Sequence, residues 1–287
     1  MSLPGFCVRR EIGRLVCGLL GIAVLAAAVS TTPAGEELAP PAERSPRLEY
    51  LTEKAKAMRV HPADKPDAQY RLQEAPLFRW QNPISGADGA IFVWTSSGRP
   101  TLLCKTHVND KNHMYVRSFT SLSREPFVLT GDSPARWNSP QAGITPTRVG
   151  DVPAPAATEN ARLVQMRGIA RRYQLQSVWG EQESGEWELR LLPTPMMRYT
   201  SPDAGVIDGA IFGFAQGTNP EAVVLVEAVR GKEGIEWQSA PARLSGYAIR
   251  GSFDGAKILD TPRVNVTRDN ETYRYVAERL SPYPFAP

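Results

Sequence analysis

The chain has 287 residues, with 33 Lys or Arg against 30 Asp or Glu, and three Cys. Residues 1–30 hold three of the Arg and one of the Glu, so the rest is close to electroneutral, with no basic stripe for a phosphate backbone; no nucleic-acid partner is expected. Only Cys104 lies beyond residue 30, which excludes an internal disulfide and leaves stability to a hydrophobic core, for which about 250 residues suffice.

Residues 1–30 read as a secretory signal. Arg9, Arg10 and Arg14 precede an uncharged apolar run, Leu15 to Val29. That run is shorter than the ~20 residues needed to span a bilayer. Ala28-Val29-Ser30 suits cleavage after Ser30, and Thr32-Pro33-Ala34 is a second site. A periplasmic or extracellular location follows, with membrane contact only through an uncleaved signal. Residues 31–45, rich in Pro, Ala and Glu, read as a flexible lead.

Ser45 and Pro46 mark a helix start, and Leu48, Leu51, Ala55 and Met58 make one apolar stripe. Strands are expected at Pro76–Trp80, Ala90–Thr95, Thr101–Val108 and Tyr115–Leu122, within a unit 46–130. Residues 131–157, with Pro134, Pro140, Pro146, Pro153 and Pro155, read as a connector. A second helix is capped by Thr158 or Asn160 and carries Leu163, Met166, Ala170 and Tyr173. Strands follow at Trp187–Leu192, Met196–Thr200, Ala210–Ala215, Ala222–Val229, Ile235–Ala240 and Arg243–Arg250, completing a unit 158–255. The extension 256–287 is expected to hold a short helix near Glu271 to Leu280.

The phrase Asp-Gly-Ala-Ile-Phe occurs at residues 88–92 and again at 208–212. Ten of the twenty-five positions from Pro76 to Pro100 recur between Pro195 and Pro220, with one inserted residue. The Asp-Gly pair reads as a tight turn that launches a strand. Arg79 with Asp88, and Arg198 with Asp208, form either a lock on that turn or a pair of sites for an anion or carboxylate, since an Arg fork suits such ligands.

The fold expected from these elements is α+β: a tandem duplication of one helix plus about four antiparallel strands, in a cystatin-like or hot-dog-like layout. A β-sandwich with attached helices is the alternative.

Cys104, His107 and His113 are a weak metal candidate, because Cys104 and His107 face opposite sides of a regular strand. No metal or cofactor is expected. No nucleophile elbow, zinc-protease motif, P-loop or dinucleotide fingerprint is present. Trp137 and Trp179, in loop-like segments, are candidates for contact with a sugar ring, peptide or apolar ligand. The function expected is a non-enzymatic binding or interaction module for a small ligand, glycan or protein. The alternative is a hydrolase with an unrecognised carboxylate or Cys/His site, with or without a metal. The stretch from Arg198-Tyr-Thr-Ser-Pro through Asp208-Gly-Ala-Ile-Phe, with Trp187-Glu-Leu-Arg-Leu-Leu-Pro, resembles a family of uncharacterised, predicted-secreted bacterial proteins. The resemblance implies export from a bacterium and brings no activity or site residues.

Overall fold

The computed structural model describes residues 45–83, 85–131, 136–179, 185–264 and 272–285. Residues 1–30, read above as a signal, and, but for Ser45, residues 31–45, read as a lead, lie outside these. The first elements are α1 (Pro46–Lys56), β1 (Arg59–Pro62), β2 (Arg71–Leu72), β3 (Phe78–Asn82), β4 (Ala87–Ser96), β5 (Arg99–Asn109), β6 (Met114–Ser121), β7 (Phe127–Thr130), β8 (Trp137–Ser139) and β9 (Thr147–Arg148). Then come α2 (Glu159–Ala170), β10 (Tyr173–Trp179), β11 (Gly185–Glu188), β12 (Arg190–Leu191), β13 (Met197–Ser201), β14 (Val206–Gln216), β15 (Asn219–Gly231), β16 (Gly234–Arg243), β17 (Ala248–Phe253), β18 (Ala256–Thr261) and β19 (Tyr273–Arg279). No described helix is long and apolar enough to cross a membrane.

This overturns the α+β expectation. Of the described residues 54% are strand and 12% helical, with two α-helices only. The excess of strand comes largely from β1, β2, β7, β8, β9, β10, β18 and β19, none of them among the expected strands, while β11 and β17 overlap the expected Trp187–Leu192 and Arg243–Arg250. Strands β1, β7 and β8 form one small antiparallel sheet, and β11, β10, β17 and β18 form another. Tyr173, counted as the last turn of a helix, opens β10 instead, where Tyr-Gln-Leu-Gln-Ser alternates buried and exposed sides. The expected helix near Glu271 to Leu280 is strand β19, which pairs with β6 from Met114 to Thr120, Tyr273 lying opposite Thr120. The connector 131–157 contains β8 and β9.

Two six-stranded sheets form the body. In the first, β3 and β2 pair with β4, followed by β5, β6 and β19; in the second, β13 and β12 pair with β14, followed by β15, β16 and β9. The edge strands cross over: β9 precedes α2 yet closes the second sheet, and β19 follows β18 yet closes the first. Such pairing protects edges that would otherwise present unpaired backbone groups.

The alternation of β4 and β14 sorts the core into layers. Ala90, Phe92 and Trp94 pack with Leu51 and Ala55 of α1. Ala210, Phe212 and Phe214 pack with Met166 and Ile169 of α2. The opposite parity, Ile91 and Val93 with Ile211, Val223 and Leu225, makes an inner layer between the two sheets. Both helices start on side-chain caps, Ser45 for α1 and Thr158 for α2.

The repeated Asp-Gly is not a turn. Both residues lie inside β4 and β14, and the left-handed turn residues are Gly86 (φ 72°) and Gly205 (φ 70°). Gly89 and Gly209 are required for another reason: aromatic rings lie on them. A Cβ at Gly89 would sit 2.4 Å from the Trp80 ring, and one at Gly209 would sit 2.7 Å from Tyr199.

Candidate functional site

The Asp of each phrase points to the helix side and meets the Arg from the strand beside it. Arg79 pairs with buried Asp88, donates to Gly89 O at 2.7 Å, and reaches Ser45 Oγ at the head of α1 at 3.1 Å. Arg198 binds Asp208 through Nε at 2.9 Å and Nη2 at 2.7 Å, and donates to Glu159 O at the head of α2. Arg162 of α2 adds a third bond to Asp208 at 2.8 Å. Each Arg therefore ties a strand pair to a helix start.

The other sequence candidates are dispersed. Cys104 is fully buried in the layer under α1, whereas His107 faces the inner layer. His113 sits at a hairpin tip and stacks on Tyr283 at 4.4 Å. Among the described residues, no three His, Cys, Asp or Glu side chains gather to hold a metal ion. Trp137 is buried edge-on to Phe127, 5.1 Å between centroids. Trp179 is exposed beside Trp187, 6.2 Å away.

The inner layer shows what sequence reasoning passed over. Its apolar middle ends in an ion pair on either side. At one end Glu227 receives Arg99 Nε at 2.8 Å, Arg124 Nη2 at 2.9 Å and the Tyr199 hydroxyl at 2.7 Å. These groups fill that end. At the other end Lys105 and Glu221 lie 3.6 Å apart, 5% and 1% exposed as residues. Here the two sheets leave a cavity of about 640 Å³, open to solvent, with Trp80, His107, Asn219 and Tyr247 in its walls.

The two ends occupy matching registers. Gly89 pairs with His107, and Gly209 pairs with Glu227. Leu122 N donates to Thr101 O at 2.8 Å, and Leu244 N to Glu221 O at 2.7 Å. By these matches Tyr199 corresponds to Trp80, Glu227 to His107, Arg99 to Asn219, and Arg124 to Gly246. The filled end thus has two guanidinium groups where the open end has an amide and a glycine.

The cavity walls hold unmet hydrogen-bonding capacity. Glu221 Oε2, Asn219 Oδ1, Trp80 Nε1 and Ser245 Oγ are buried without a hydrogen-bond partner. Each such group costs about 1–3 kcal/mol when left unsatisfied. Burial lowers the Lys105 ammonium from its ordinary value, and the Glu221 carboxylate opposes that shift. Burial, and then the charge of Lys105, push His107 down to about 3. A neutral imidazole so weakly basic is a poor general base near pH 7 but a usable hydrogen-bonding group. Lys105 also lies 5.4 Å from the Trp80 ring centre, and His107 meets the same ring edge-on at 5.2 Å.

A wider cleft of about 1030 Å³ runs along α1, but none of its lining side chains has a buried polar atom without a partner. No protein-family model matches the chain, and no curated protein matches it.

Charge at inner-layer parity was the available signal. Lys105 and His107 share the parity of Leu103, and Glu221 and Glu227 share that of Val223 and Leu225. A charged residue on a core-facing parity needs a partner or a ligand.

Proposed function

We propose that this chain is an exported, non-enzymatic protein that binds a small molecule in the cavity between its two sheets. One observation carries it: the end of the inner layer at Lys105 and Glu221 is open, and residues that line it hold buried, unsatisfied polar atoms, while Arg99 and Arg124 meet Glu227 at the matching end. A mostly pre-formed concave site with a few convergent polar groups is the usual form of a small-molecule site. Catalysis is disfavoured by the weak basicity of His107 and by the pairing of Lys105 with Glu221. The proposal includes descent of the two sheets from one doubled unit, supported by the shared phrase and registers.

A thermal-shift screen of the full chain against small metabolites is expected to yield a compound that raises Tm by several degrees, since ligand in excess over Kd stabilises the folded state. Gly246→Arg places a side chain where Arg124 closes the other end. Its Cβ meets Val264 O at 3.2 Å, a contact that needs only a small shift. A folded Gly246→Arg chain is expected to lose the ligand shift. A shift that persists in that variant, or no stabilising compound at all, rejects the cavity as the site.

Export is supported by Arg9, Arg10, Arg14 and the apolar run after them. When the chain is expressed in a bacterium, N-terminal sequencing of the exported product is expected to begin at Thr31. Retention in the cytoplasm at full length counts against export.

A further inference from the structure

We propose that the ligand of this cavity is a neutral, polyhydroxylated ring, a saccharide unit. The inference rests on the small-molecule reading above and narrows it by three properties of the walls.

The first is charge. The cavity's buried ions, Lys105 and Glu221, neutralise each other across 3.6 Å. A ligand ion entering here would compete with a pair already made, and it would be desolvated without a partner of its own. Arg263 lines the cavity as well, and its charge acts on the Tyr247 and Tyr275 hydroxyls in the same walls. His107 brings no charge at neutral pH.

The second is the kind of hydrogen bond the walls lack. Glu221 Oε2 and Asn219 Oδ1 need donors, Trp80 Nε1 needs an acceptor, and Ser245 Oγ can serve as either. These atoms have almost no accessible surface as they stand, so a ligand that completes the set does so as the side chains turn toward it, donating at some points and accepting at others around its rim. Hydroxyl groups do both, and adapt by rotation. A carboxylate or phosphate can only accept, and an ammonium can only donate.

The third is shape. Tyr247 and Tyr275 line the same cavity, Tyr247 being 39% exposed, whereas the Trp80 ring is 5% exposed and already lies against Gly89 and Lys105. Aromatic faces need an apolar surface to cover, while their N–H and O–H ends stay polar. A saccharide ring offers that combination: C–H groups on its face and hydroxyls at its edge.

The test is calorimetric titration of the full chain with glucose, galactose, N-acetylglucosamine, cellobiose and maltose, alongside gluconate and adenosine. At least one neutral saccharide is expected to bind saturably and to change tryptophan fluorescence. Trp80→Phe keeps a ring over Gly89 but removes the Nε1 donor, and is expected to weaken that saccharide about tenfold, the scale of one net hydrogen bond. The Tm of Trp80→Phe is measured first, so that a folding defect is not mistaken for lost binding. If no saccharide binds while gluconate or adenosine does, the saccharide assignment is overturned and the small-molecule reading stands. If none of these bind and the wider screen is also empty, both fall. Saccharide binding with full affinity in Gly246→Arg places the sugar elsewhere and overturns the assignment.

Discussion

Glu227→Gln is expected to lower stability by about 3–5 kcal/mol, the cost of breaking a buried ion pair from one side. In a domain of this size the drop in Tm is on the order of 10 °C. Glu227 is 1% exposed and holds three groups at once. Gln keeps the volume but removes the charge. Arg99, 4% exposed, would then retain only carbonyl partners such as Leu122 O at 2.9 Å. Its guanidinium stays ionised, so the chain must carry an uncompensated buried charge or open the end of the layer to water. The double replacement Arg99→Met with Glu227→Leu separates these effects. It removes both charges, and is expected to recover most of the loss, because apolar side chains often replace a buried pair at little cost. Urea unfolding of wild type, single and double variants measures the difference. Equal losses in the single and double variants would show that packing, not charge, sets the cost.

Glu227 also bears on how much could be read beforehand. Both helix starts were legible because caps are local: Ser45 and Thr158 do the same work in an isolated turn as in the fold. The long central strands were legible because β4, β14 and β15 each hold an apolar run, Ala90–Trp94, Ala210–Ala215 and Ala222–Val226, buried on both faces. The class was not legible, because it depends on short strands such as β1, β7 and β10, which owe their structure to partners far away in sequence. Tyr273 to Arg279 has residues compatible with a helix, and the free edge of β6 decides it. The phrase Asp-Gly-Ala-Ile-Phe misled for a related reason. Asp-Gly is a good turn signal in isolation, but here Gly89 and Gly209 accommodate rings from β3 and β13. The site was the least visible. Whether an end of the inner layer is open turns on Arg124 against Gly246, two loop residues outside the twenty-five-residue frame. Their correspondence appears only once the backbone bonds of Leu122 and Leu244 are known.

The second large effect is expected at the helix lock. Asp208→Asn should cost about 3–5 kcal/mol at pH 7, by the same one-sided loss of a buried pair. Asp208 is 2% exposed and Arg162 is 8% exposed. Without the carboxylate, Arg162 keeps only the carbonyls of Ala156 and Ala157, at 3.0 and 2.8 Å. Arg198 keeps Glu159 O at 2.7 Å, so the start of α2 stays attached, but the link to β14 is weakened. Asp88→Asn is expected to cost less, because its partner Arg79 is partly exposed and can return to water. Acid gives a second handle. Burial pushes the Asp208 carboxyl up, but the hydrogen bonds and charges of Arg198 and Arg162 outweigh it and hold the group below its ordinary value of 3.8. A carboxyl depressed in the folded state stabilises fully above its unfolded value and loses that contribution as pH falls through its folded value. The gap between wild type and Asp208→Asn is therefore expected to be constant from pH 7 to about 5 and to shrink below about 4. Urea unfolding of both chains from pH 7 down to pH 3 follows that gap. A gap unchanged at pH 3 would show that the Asn side chain fails in the lock through shape alone, and that the charge of Asp208 contributes nothing.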